Sequence, residues 1–119
     1  MAEVDNLEQE WRDLCAYYPL FKSFEVFDKH PEALKVRLFI DQSFFVQLYA
    51  NTQTGTRNFV LVLNGQRIYG RDCLACSNWH RHPVDSPADH DFGPEGAQAV
   101  MVATFLREVE EIVAGEDLL

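Results

Sequence analysis

Residues 35–72 alternate apolar and polar side chains with a period of two, and this alternation constrains the chain more than any other feature. Val36, Leu38 and Ile40 alternate with Lys35, Arg37, Phe39 and Asp41, and Phe44, Val46 and Leu48 with Phe45, Gln47 and Tyr49. Phe59, Leu61 and Leu63 alternate in turn with Asn58, Val60 and Val62. Successive side chains of a strand point to opposite faces, so each run describes a strand with one face available to a core. Asp41, Gln42 and Ser43 alone join the first two runs, and residues 51–55 supply turn chemistry before the third. Asn64-Gly65 predicts a type I′ hairpin, whose two central residues need positive φ, with residues 66–72 as the returning strand. A less regular strand at residues 21–28 precedes these, cut off by Lys29, His30 and Pro31, with His30 a solvated turn residue. Connections this short leave no room for a crossover, which predicts an antiparallel meander of four to five strands.

On either side the apolar period lengthens to that of a helix. Val4, Leu7, Trp11, Leu14, Cys15 and Tyr18 form one stripe, which predicts a helix over residues 5–18, with Asp5 placed to cap, Glu8 to complete a capping box and Pro19 to stop it. Over residues 97–114, Met101, Val102, Phe105, Leu106, Val109, Ile112 and Val113 fall on one side. Arg107, Glu108, Glu110 and Glu111 fall on the other, which is the pattern of a solvated face. The expected architecture is therefore a single α+β domain, residues 1–119, its sheet covered by an N-terminal and a C-terminal helix. The hydrophobic content of 47% and nine phenylalanines suffice for one core. Strand aromatics Phe39, Phe45, Tyr49 and Tyr69 suit either a core under a helix or a stacking platform for bases, and core is the expectation. The longest apolar runs, residues 44–50 and 99–106, fall short of the roughly 20 residues of a membrane span. No secretory leader pattern opens the chain, so its three cysteines are expected as reduced thiols or ligands and the cytoplasm as its location.

The formal net charge of -9 is carried by the two ends. Residues 1–18 hold five acids against Arg12, residues 95–119 six against Arg107, and the middle balances. Within that middle, Arg57, Arg67, Arg71 and Arg81 face only Asp72 over residues 57–82, a locally cationic patch. The overall sign argues against nonspecific binding to long nucleic acid or anionic membrane, whereas the patch is compatible with holding a phosphate. The acidic ends suit solubility or a basic partner.

Chemistry is concentrated in residues 73–95, CLACSNWHRHPVDSPADHDFGPE, with three of the four histidines, two of the three cysteines and three prolines. An irregular loop of this length in a small domain is usually functional or disordered, and Trp79 and the prolines favour order. One reading is zinc, with Cys73-x2-Cys76 as a clamp and His80, His82 or His90 completing a tetrahedron. A second needs no cofactor and uses the imidazoles as acid and base. Metal-free RNA cleavage requires a base on the 2′-hydroxyl, an acid on the leaving oxygen and a cation on the phosphate. Its candidate catalytic residues are His80, His82, Asp72 and Arg81, and its candidate substrate-binding residues are Arg67, Arg71 and Tyr69. In an extended stretch His80 and His82 share a side, with Arg81 opposite. A third reading ties the histidines to the loop itself, in a non-enzymatic protein-interaction module. No Gly-rich phosphate loop, GxSxG elbow or HExxH motif is present.

The segments RLFID, NGQRIYGRD and WHRHPVDSPADH, within residues 37–90, resemble the TumE-like toxins of prokaryotic toxin–antitoxin pairs. In that family an Asp-containing strand leads into a histidine- and proline-rich loop, and Asp72, His80, His82, Pro83 and His90 match this pattern. The resemblance implies a toxin role and a helix-turn-helix antitoxin as partner. The chain departs from the family where paired histidines follow the second proline: it has Pro87, Ala88, Asp89 and a single His90. The Cys73/Cys76 pair is also outside the pattern. Exposed meander edges would suit pairing of two copies as a homodimer.

Overall fold

The computed structural model describes residues 3–74, 77–84, 101–116 and 118, with the backbone alone for 77–80. Helix α1 (Glu3–Tyr17) leads into strands β1 (Ser23–His30), β2 (Ala33–Asp41), β3 (Phe44–Asn51), β4 (Arg57–Leu63), β5 (Gln66–Leu74) and β6 (Ser77–His82), and helix α2 (Val102–Gly115) follows. The strands lie side by side in sequence order in one sheet, every neighbouring pair antiparallel. The expected α+β meander is present, with six strands among the described residues rather than four or five.

The additional strand comes from the stretch expected as an irregular loop. β5 continues to Leu74, and β6 returns along it with Asp72 opposite His80, Arg71 opposite Arg81 and Gly70 opposite His82. A ladder is made by backbone groups, so a strand without apolar alternation, such as SNWHRH, pairs unannounced by its side chains. The remainder of the stretch, residues 85–95, lies outside the described residues.

Both helices cover the same face. Val36, Leu38, Val46, Leu48, Phe59 and Leu61 join Val4 and Trp11 of α1 and Phe105, Leu106 and Val109 of α2 in one buried cluster. Asp5 does not cap α1, which already runs from Glu3; its carboxylate instead meets Lys29 Nζ at 2.7 Å. Lys29 also contacts Glu8 at 2.8 Å, tying β1 to α1. Glu8 is held below the usual carboxylate range by hydrogen bonds from Lys29 and Arg12. α2 begins at Val102 with Met101 at its N-cap, and residues 97–100 lie outside the described residues. The Asn64-Gly65 turn has the positive φ values, 52° and 78°, that its sequence requires.

Among the described residues the other sheet face carries no helix. Lys35, Arg37, Phe39, Phe45, Gln47 and Tyr49 lie on it, all half-buried against one another. This corrects the expectation for the aromatic set: only Tyr69 belongs to the core, whereas Phe39, Phe45 and Tyr49 stand on the helix-free face. The reason is register, since Val36, Leu38, Val46 and Leu48 already fill the helix side. The acids of α1 and α2 sit on the helical layer, while on the helix-free face Lys35 and Arg37 of β2 stand across from Asp28 and Glu25 of β1.

Candidate functional site

Two polar networks meet at β5, one on each face. On the helix side, alternation brings Tyr69, Arg71 and Cys73 into line. Arg71 is 5% exposed and forms a bidentate pair with Glu108 of α2, Nη2 to Oε2 at 2.7 Å and Nε to Oε1 at 3.2 Å. The Tyr69 hydroxyl donates to Glu108 Oε1 at 2.9 Å and accepts from Arg71 Nε at 3.2 Å. Burial opposes charge on Arg71, yet the hydrogen bonds and charge of Glu108 keep its pKa above the ordinary value. Burial, followed by the Glu108 carboxylate, pushes the Tyr69 hydroxyl up to about 12. This network fastens β5 to α2. Glu108 is therefore no member of a solvated face; the arginine beneath it draws the carboxylate inward.

On the helix-free side, Asp72 is the centre. Its Oδ1 accepts from Asn58 Nδ2 at 2.7 Å, and its Oδ2 lies 2.9 Å from His82 Nε2. An ionised carboxylate only accepts, so Nε2 carries the proton. Arg67 Nη1 stands 3.1 Å from His82 Nδ1 and 3.0 Å from Nε2. An in-plane group equidistant from both nitrogens would collide with Cε1 between them, so the guanidinium lies over the ring face. His82 is 3% exposed and rests on Gly70, where a Cβ would stand 3.2 Å from the Phe59 carbonyl oxygen and 3.5 Å from His82 Cδ2. Asn58, Asp72, His82 and Arg67 thus form one polar chain across three strands.

A β-bulge makes this possible. Leu61 pairs with Tyr69 but Val62 with Arg67, which leaves Ile68 as an extra residue. Without it Arg67 would share the face of Tyr69 and Arg71; with it Arg67 shares the face of Gly70 and Asp72.

The candidate residues are therefore divided by the sheet. Asp72, His82 and Arg67 come together, and the ladder sets His80 opposite Asp72, although the side chain of His80 lies outside the described residues. Tyr69 and Arg71 are on the far side. Arg81 lines a cleft of about 300 Å³ there, with Tyr69, Glu108 and Glu111. The four arginines expected as one cationic patch are dispersed: Arg71 is paired with Glu108, Arg81 lines the cleft under α2, Arg67 covers His82, and Arg57 donates to the Asn51 and Thr56 carbonyls. Cys73 is 1% exposed, its Sγ against the Gly55 carbonyl, on the face opposite His82, so those two do not ligate one ion. Cys76 and His90 lie outside the described residues, among which no group of three His, Cys, Asp or Glu side chains converges as a metal site. His30 is exposed and meets Asp28 at 2.9 Å.

Sequence reasoning missed Asn58 and Glu108. Asn58 was legible only as the residue across from Asp72 once register was known, and Glu108 only through a buried arginine in need of a partner. No helix among the described residues is long and apolar enough to cross a membrane. Comparison with family models, curated proteins and solved structures finds no significant match for this chain.

Proposed function

We propose that the chain is the toxin-like component of a toxin–antitoxin pair and cleaves RNA from the helix-free face of its sheet without a metal. The observation that carries this reading is the Asn58–Asp72–His82–Arg67 chain, an acid, an imidazole and a guanidinium aligned beside the ladder position of His80. His80 is the proton-exchanging residue in this account, and Arg67 faces the phosphate. His82, with both ring nitrogens near Asp72 or Arg67, holds those groups in place. The 2′-hydroxyl attacks phosphorus, the bond to the 5′-oxygen breaks, and the proton taken from the nucleophile is returned to the leaving oxygen. The acidic helical layer is then the surface for a basic antitoxin.

A second reading, a non-enzymatic interaction module, is favoured by the burial of His82, because a structural clasp needs no more than the contacts it already makes. Induced expression in a bacterial host separates the two. The toxin reading predicts growth arrest by the wild type and none by His80→Ala at equal soluble level. Indifference to both proteins supports the interaction module.

A further inference from the structure

The hairpin chemistry leaves unused a second feature of the helix-free face. The Arg37 guanidinium is stacked between two rings, 4.2 Å from the Phe27 centroid and 4.5 Å from that of Phe45, and Phe39 lies 5.3 Å from Phe45. Its Nε donates to Gln47 Oε1 at 3.0 Å. Among the described residues its two terminal NH2 groups have no hydrogen-bond or ion-pair partner. The rings and Gln47 fix the plane of the fork in advance, so an anion meets it with little further ordering. Beyond Gln47 a hollow of about 390 Å³ is lined by Lys35, Gln47, Tyr49 and Asn58. Asn58, on its far wall, is the residue that donates to Asp72.

We propose that these groups form a track for single-stranded RNA, with a phosphate on Arg37, a neighbouring phosphate on Lys35 and bases stacked on Phe39 and Tyr49, leading to the β5–β6 hairpin. The proposal rests on the RNA-directed reading above and states how that substrate is held. Charge on this face is local: Glu25 and Asp28 of β1 stand across from Arg37 and Lys35, so an anion is recognised by the pre-ordered Arg37 fork and the Lys35 ammonium themselves and not by the field of the face as a whole. Ring faces select the strandedness, since a duplex keeps its bases stacked internally and a single strand offers them to aromatic side chains. An acidic peptide would match the charge and leave the ring faces unused.

The test is fluorescence anisotropy of the purified full chain with a labelled 12-nucleotide oligouridylate, 2′-O-methylated so that it resists cleavage, beside an RNA duplex of equal length. The track predicts binding of the single strand in preference to the duplex. Arg37→Gln and Tyr49→Leu should each weaken it about tenfold, the order of one lost stacking or phosphate contact. Lys35→Gln, which leaves the Phe27–Arg37–Phe45 stack intact, should weaken it as well, and unfolding temperatures measured in parallel identify any variant that fails to fold. Equal binding by wild type and all three variants, or equal binding of duplex, overturns the track. Absence of RNA binding also overturns it and assigns the face to a protein partner. Growth arrest is scored separately: arrest with variant-insensitive binding removes the track and keeps the toxin reading. Variant-sensitive binding without arrest does the reverse.

Discussion

Arg71 is a permanently charged side chain placed where water scarcely reaches, and Glu108 is what makes that position tolerable. Removing one partner of such a pair leaves the other charge buried, which costs about 3 kcal/mol. Glu108→Gln should therefore lower the unfolding free energy by about that amount in urea titration, whereas Glu110→Gln, on an exposed position of the same helix, should change it by less than about 0.5 kcal/mol. Tyr69 gives a pH signature. Its folded pKa of about 12 lies above the ordinary value of 10, so the native state holds this proton more tightly than the unfolded chain. The corresponding stability is complete below pH 10 and is lost as the pH rises through 12. Tyr69→Phe, compared with wild type by denaturant unfolding across that window, should show a shallower decline; parallel declines would mean that burial and Glu108 do not raise the Tyr69 pKa on folding.

At the scale of elements, turn and bulge together decide which side chains meet. Gly65 occupies φ 78°, and Gly65→Ala should destabilise the β4–β5 hairpin by about 1 kcal/mol, measured as a lower urea midpoint with unchanged slope. The turn was legible in Asn64-Gly65 because two adjacent positive-φ residues have few other uses. The faces of β2, β3 and β4 were legible for a similar reason: a period of two leaves a single way to bury Val36, Leu38, Val46 and Leu48. The bulge at Ile68 left no such mark. Strict alternation groups Arg67 with Tyr69 and Arg71, and one extra residue sends it to the opposite face, beside Asp72. β6 was hidden because its side chains, SNWHRH, carry no apolar alternation. The candidate residues were thus visible as an inventory, of which the structure brings Asp72, His82 and Arg67 together on one face and puts Arg71, Tyr69 and Arg81 on the other. What separated them was register, which backbone pairing sets and side-chain composition does not encode.

Across the whole molecule, folding sorts the charge. Helices α1 and α2, which carry most of the acids of the two ends, lie on one side of the sheet, and the opposite face of this protein of net charge -9 carries Lys35 and Arg37 on β2 across from Asp28 and Glu25 on β1. If two to three phosphates are neutralised there, the logarithm of single-strand affinity should fall with the logarithm of salt concentration with a slope of about -2, and Arg37→Gln should make that slope shallower by about 0.7. A slope unchanged in the variant would place the phosphate contacts elsewhere. The central claim concerns what happens at the end of that face, beside Asp72 and His80. It is tested most directly by incubating the purified chain with a defined single-stranded RNA in excess EDTA and examining the products. The account predicts cleavage that leaves a 2′,3′-cyclic phosphate, spares the 2′-O-methylated strand and disappears in folded His80→Ala. Intact RNA, or cleavage that persists unchanged in His80→Ala, would contradict it.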